Sequence, residues 1–218
     1  MNQPGRRVEW LIWSGVALVT LTLLLACALA LLNARNRLAK PLPVYGQVAD
    51  FALTNQDGKV TSLADLRGHP WVADIIFTRC AGPCPEMTRQ MKALQQDLPP
   101  GSKTRLVTLT TDPEFDTPSV FKTYAERFGA DLRRWMFLTG AKDQIAHLAV
   151  DSLKLSAVPT PPAERQSPQD LFVHSTIFVL VDQRARLRGI FETTGTGVDP
   201  QQVKARILAA VNRLEHEP

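Results

Sequence analysis

Phe77-Thr-Arg-Cys80-Ala-Gly-Pro-Cys84-Pro-Glu-Met87 holds two of the three cysteines in this 218-residue chain. An uncharged run ending in Ile75, Ile76 and Phe77 leads into it, and a helical pattern leads out from Pro85. Proline suits the first turn of a helix, where its missing N–H has no intrahelical partner to lose, so Cys84 is expected as the cap residue. Met87, Met91, Leu94 and Leu98 then recur at helical spacing and give one apolar face, which Pro99-Pro100-Gly101 ends. The cysteine pair thus sits at a strand-to-helix corner. The N–H groups and dipole of the helix start are expected to favour thiolate at Cys84.

Trp71 to Phe77 reads as a buried strand, in which Asp74 is an odd guest that either caps an edge or faces a polar site, with a satisfied or exposed carboxylate the plainer expectation. Before it, Phe51-Ala-Leu-Thr54 and Val60-Thr-Ser-Leu63 flank Asp57-Gly58, a turn signal, and predict a small hairpin. Ser62 and Asp65 have capping spacing for a brief helical turn, which Gly68 ends. After the corner come a strand at Leu106 to Leu109, a helix capped by Thr117 and stopped at Gly129, a strand at Trp135 to Leu138, and a helix from Asp143 to Leu153. This alternation predicts a layered α/β domain with parallel pairing. A proline-rich loop, Ser156 to Asp170, delivers the chain to Phe172–Val181, the most strand-like run, which holds His174. Leu187 to Phe191 completes an antiparallel hairpin. Asp199-Pro200 opens a last helix with Val203, Ile207, Val211 and Leu214 on its buried face.

Trp10 to Leu32 contains no charged residue over 23 positions. As a helix it would span about 34 Å, enough for the hydrocarbon core of a bilayer. A cleaved signal peptide and a lipoprotein box at Leu24-Leu25-Ala26-Cys27 compete with an uncleaved anchor, and the unbroken apolar run beyond Cys27 favours the anchor. Arg6 and Arg7 on one side balance Arg35, Arg37 and Lys40 on the other, so charge does not set the orientation. The chain divides into a tail (1–9), a transmembrane anchor (10–32), an extended linker with Pro41 and Pro43 (33–45) and a domain (46–218). The net charge of +4 is spread outside the membrane flanks, and no basic stripe with interleaved aromatics predicts nucleic-acid binding.

Two cysteines three residues apart can form a redox disulfide, half of a metal site or a packed pair. A closed zinc site would need four ligands, and the domain has no second cysteine or histidine pair. Two thiolates and one imidazole suit copper, because soft sulfur favours Cu(I) and nitrogen helps hold Cu(II). Of the four histidines, His69, His147 and His216 read as solvated, while His174 sits where the long loop enters a strand and is either a ligand or a satisfied core residue. The methionine face reads as core.

In chain order, Asp50-Phe-Ala-Leu53, Asp57-Gly58, Phe77-Thr-Arg-Cys80 with Cys84-Pro-Glu-Met87, Asp112-Pro-Glu-Phe-Asp-Thr-Pro118, Phe137-Leu-Thr-Gly140 and His174-Ser175 resemble the SCO/SenC proteins, membrane-anchored thioredoxin-like copper chaperones. The resemblance runs from about Val48 to the last helix. It implies a thioredoxin-like fold, copper held by Cys80, Cys84 and His174, delivery to the CuA-bearing subunit of cytochrome c oxidase or another copper or thiol client, and a domain outside the cytoplasm. The sequence departs from the family pattern in two places. Val173 stands where an aspartate usually precedes the histidine, and Ala81-Gly82-Pro83 replaces the commoner Pro-Asp-Val. Copper transfer needs both cysteines reduced, which implies an upstream thiol reductant. The alternative is a thiol-disulfide oxidoreductase acting on a client's cysteines. A peroxidase fits less well, because Thr78 lies two residues before Cys80 and not three.

Overall fold

The computed structural model describes residues 4–39, 41–159 and 172–217. It separates into two compact units, Met1–Pro41 and Leu42–Pro218.

The first unit is helix α1, Pro4–Ala39. Within it Glu9–Leu32 is long and apolar enough to cross a membrane. The Ser14, Thr20 and Thr22 hydroxyls each donate to a carbonyl three residues back, which satisfies the polar atoms of the apolar stretch. The linker expected to be extended from Asn33 is instead helical through Ala39. Alanine, arginine and leucine in that stretch are good helix formers, and the first proline comes only at Pro41.

The second unit is mixed α/β. Its elements are β1 (Gly46–Gln47), β2 (Ala52–Asn55), β3 (Val60–Ser62), α2 (Leu63–Leu66), β4 (Trp71–Ile76), α3 (Cys84–Asp97), β5 (Arg105–Thr110), α4 (Pro118–Arg127) and β6 (Trp135–Thr139). They continue with α5 (Lys142–Ala146), β7 (Ala157–Pro159), β8 (Phe172–His174), β9 (Ile177–Val181), β10 (Arg186–Glu192) and α6 (Pro200–Glu215). Among the described residues, eight strands form one sheet in the order β1-β10-β9-β4-β5-β6-β2-β3. Only β4, β5 and β6 run parallel, and the predicted β2–β3 hairpin is present at one edge.

Successive strand residues face opposite sides of the sheet. Val72 and Ile76 of β4 join Leu106, Phe137 and Leu180 in a core under α3, α4 and α6, where Met87, Met91, Leu94 and Leu98 are buried. Ala73 and Ile75 point the other way, into a core closed by α2 and the α5 region. Thr117 caps α4 by accepting the Val120 N–H, and Asp199 caps α6 by accepting that of Gln201.

Three local readings are corrected. The predicted 143–153 helix is α only to Ala146 and continues as a π-helical turn, His147–Ser152. The start of the proline-rich loop is strand β7, paired antiparallel with β8 (Ala157 with His174) in a small separate sheet. Phe172–Val181 is therefore two strands in two sheets, parted at Ser175-Thr176, and His174 lies outside the core sheet. The rest of that loop, 160–171, falls outside the described residues.

Arg188 on β10 is 3% exposed and organises one end of the sheet. Its Nε donates to Pro43 O (3.1 Å), Nη1 to Asp182 Oδ2 (2.6 Å) and Glu217 Oε2 (2.7 Å), and Nη2 to Leu42 O (2.8 Å) and Glu217 Oε1 (2.9 Å). All five guanidinium N–H donors are used. Glu215 pins the same helix terminus by accepting from Ser102 Oγ, Lys103 N–H and the N–H and hydroxyl of Thr104, just before β5.

Candidate metal centre

Strand β4 ends at Ile76, and the chain turns through Cys80 N–H···O=C Phe77 (3.2 Å) before α3 begins at Cys84. Cys84 is the first helical residue, with Pro83 in the cap position, so the expected Cys84 cap is displaced by one residue. Both cysteines are thiols here, and the Cys84 side chain is hydrogen bonded with that of Cys80. Cys80 is partly exposed and accepts the Gly82 N–H at Sγ (3.3 Å), whereas Cys84 is 0% exposed.

This burial reverses one expectation. Loss of solvent pushes the Cys84 thiol up, the Cys80 thiol and the Asp74 carboxylate push the same way, and a hydrogen bond from the Phe77 backbone opposes them without prevailing. The helix start does not make Cys84 a ready thiolate, because desolvation of a fully enclosed sulfur outweighs a dipole at the first turn. The more accessible thiol is Cys80.

Asp74 is fully buried in the middle of the sheet, neither exposed nor at an edge. Its Oδ1 accepts from the Thr108 hydroxyl (2.7 Å), which in turn accepts from Trp135 Nε1 (2.9 Å). A polar line thus runs across β6, β5 and β4 beneath α3. Tyr124 of α4 closes the other side, with its hydroxyl 2.8 Å from Thr88 Oγ1, which donates to Cys84 O (2.9 Å). Burial, with Cys84, Asp74 and Cys80 as neighbours, pushes the Tyr124 phenol up against the opposing Thr88 hydrogen bond.

The loop after β5 is fastened to the cysteine loop at two points. Asp116, 0% exposed, accepts from the Thr78 N–H (3.1 Å), the Thr78 hydroxyl and the Thr110 hydroxyl (2.5 Å). Burial raises its carboxyl above the usual 3.8 despite these donors. Above it, Arg79 pairs with Asp112 and lies over the Phe115 ring, 4.1 Å from its centroid. The Asp112–Pro118 run is visible in the sequence as a motif, but these contacts are not. An acidic residue just before a Thr-Pro helix start was the available signal.

The structure brings Cys80 and Cys84 together, and among the described residues no group of three or more His, Cys, Asp or Glu side chains gathers as a metal site. The His174 side chain lies outside the described residues. Its backbone is in β8, just before β9, which runs antiparallel to β4 with Ala73 opposite Val179. Thr176 O accepts both the N–H (2.8 Å) and the hydroxyl (2.7 Å) of Thr193, whose own carbonyl accepts from Gln90 of α3 (3.2 Å). The chain two residues after His174 is thus tied to the helix that begins with Cys84. Of the other histidines, His69, His147 and His216 are hydrogen bonded near Lys103 O, Asp151 and Asn212 O, away from the pair. As donors, two sulfurs within hydrogen-bonding reach of each other suit a soft cation such as Cu(I).

This is a thioredoxin-like domain with a dithiol at its strand-to-helix corner. The sequence model of the SCO1/SenC family matches residues 43–212, and the chain belongs to that family. It is similar to the SCO1 protein homolog of Bacillus subtilis (strain 168), at 37% identity over 141 residues, covering 64% of this chain and 70% of that protein. Among solved structures it resembles BsSco, a member of the Sco family of cytochrome c oxidase assembly proteins in which a disulfide switch was identified, with TM-score 0.64 and 30% identity over 79% of this chain and 98% of that one. Bradyrhizobium japonicum ScoI, solved with copper bound, shares the fold, with TM-score 0.58 and 24% identity over 78% of this chain and 99% of that one.

Proposed function

We propose that this chain is a membrane-anchored copper chaperone that takes copper as cargo on Cys80, Cys84 and His174 and passes it to thiolates of the CuA-bearing subunit of cytochrome c oxidase. The observation that carries the reading is the dithiol: two hydrogen-bonded sulfurs at a strand-to-helix corner, one accessible and one enclosed. Such a pair offers a soft two-coordinate seat with an open side for ligand exchange. Membership of the family and the copper-bound ScoI relative support it. The residues of Glu9–Leu32 act as the anchor, and the domain works outside the cytoplasm.

The test is Cu(I) titration of the reduced full chain in detergent against a competing chelator. One copper is expected to bind per chain, Cys80→Ser or Cys84→Ser to abolish binding, and His174→Ala to weaken it by about tenfold or more. Unchanged affinity and spectra in His174→Ala would overturn the three-ligand assignment. A reporter active only outside the cytoplasm, fused after Pro218, tests the orientation.

The hydrogen bond between the two thiols also favours a second reading, reduction of a client disulfide. In that reaction the pair gives up two electrons and two protons, and the client's disulfide becomes two thiols. Disulfide reduction that survives His174→Ala but not Cys80→Ser would favour it.

A further inference from the structure

The two sulfurs are held by different means. Cys84 is fixed by helix α3 and the core beneath it. Cys80 lies in the irregular stretch between β4 and α3, with its N–H on Phe77 O, and half-buried Thr78, two residues upstream, ties that stretch to the loop after β5. Both polar groups of Thr78 end on one enclosed carboxylate, that of Asp116, which also holds Thr110 at the end of β5. The Arg79–Asp112 pair fastens the same two loops, but Arg79 is about two-fifths exposed and its contribution is screened by solvent.

We infer that Asp116 is a positioning residue for the dithiol: through Thr78 it sets where Cys80 stands relative to Cys84, and so tunes both disulfide formation and metal capture. A carboxylate can accept from the Thr78 N–H and hydroxyl and from Thr110 at once. An asparagine in its place would turn one acceptor into a donor facing other donors, and the Thr78 limb would lose its anchor. Forming the disulfide brings two sulfurs to bonding distance, a geometry that tolerates little displacement of either Cα. A shift of the Cys80 limb therefore changes the thiol–disulfide equilibrium even where no metal is involved. The inference rests on the proposed function only through the assignment of Cys80 and Cys84 as the working pair.

The test uses the full chain in detergent, in a Cys27→Ala background so that only this pair titrates. Equilibration with a dithiol redox buffer gives the disulfide equilibrium constant, and chelator competition gives the Cu(I) affinity. Asp116→Asn and Thr78→Val are expected to move the equilibrium constant by about threefold or more and to weaken Cu(I) binding by about tenfold. Thr78→Ser, which keeps both donors, is expected to behave as the parent. Glu215→Ala, which removes the acceptor of four hydrogen bonds far from the pair, should lower the melting temperature and leave both readouts unmoved. If Asp116→Asn does not fold, Thr78→Val decides. Parent-like equilibrium constants in folded Asp116→Asn or Thr78→Val, or the same shift in Glu215→Ala, would overturn the inference. If the parent binds no Cu(I), the copper reading fails while the disulfide equilibrium still tests Asp116.

Discussion

The two ends of the central strands bury charge in opposite ways. Where β4 begins, Arg188 is enclosed with Asp182 and Glu217 and every one of its donors is matched. Where β4 ends, Asp116 is enclosed among hydroxyls and an N–H, with no cation paired to it among the described residues, and Cys84 and Asp74 are buried nearby. Hydrogen bonds from the Arg186 and Arg184 backbone and from Arg188 and Arg186 overcome the burial that would raise Asp182, so its carboxyl falls below 3.8. Arg188 likewise lowers Glu217 below 4.5. At the dithiol end burial prevails, and Asp116 and Cys84 rise. One end is compensated and fixed. The other keeps groups whose protonation and bonding can change, as thiol and metal chemistry requires.

Breaking the compensated end should cost most. Arg188→Ala leaves two carboxylates and two carbonyls without their donor, and about 3–5 kcal/mol of stability should be lost in a urea titration, with Cu(I) affinity unchanged. Within the dithiol, Cys84→Ala should cost about 1–2 kcal/mol because it empties a fully enclosed site, while Cys80→Ala should stay within about 0.5 kcal/mol. A stability ranking that put Cys80 first would contradict the asymmetry.

The smallest effect is in pH dependence, where the two ends have opposite signs. Asp116, raised from 3.8, contributes stability that is full below that value and is lost as pH rises through its folded value. Asp182 and Glu217, lowered from 3.8 and 4.5, contribute stability present above those values and lost as pH falls through their folded ones. Urea midpoints followed downward from pH 7 should therefore lose the second contribution in Arg188→Ala and the first in Asp116→Asn.

Much of the fold could be read from the chain because its signals are local. The Asp57-Gly58 turn, the Thr117-Pro118 and Asp199-Pro200 helix starts and the methionine face of α3 each depend on neighbours in sequence, and each is present. What escaped depends on distant partners. Nothing beside Asp74 announces Thr108 and Trp135, and nothing beside Arg188 announces Leu42 and Glu217. The thiolate expectation at Cys84 failed for the same reason, since a helix start is visible in sequence while the enclosure of a sulfur is not. The break at Ser175-Thr176 was hidden because β8 and β9 have equally strand-like residues but pair with different sheets.

The Arg188 cluster also bears on the kinetics of the fold. It joins residues 146 apart at Leu42 and 29 apart at Glu217, so it can close only after the intervening chain has been brought into register. The cluster is therefore expected to be absent from the folding transition state, so that its loss acts mainly on the rate of opening. An Arg188 variant should therefore refold at nearly the parent rate and unfold much faster, which makes this single guanidinium a determinant of how long the folded domain lasts.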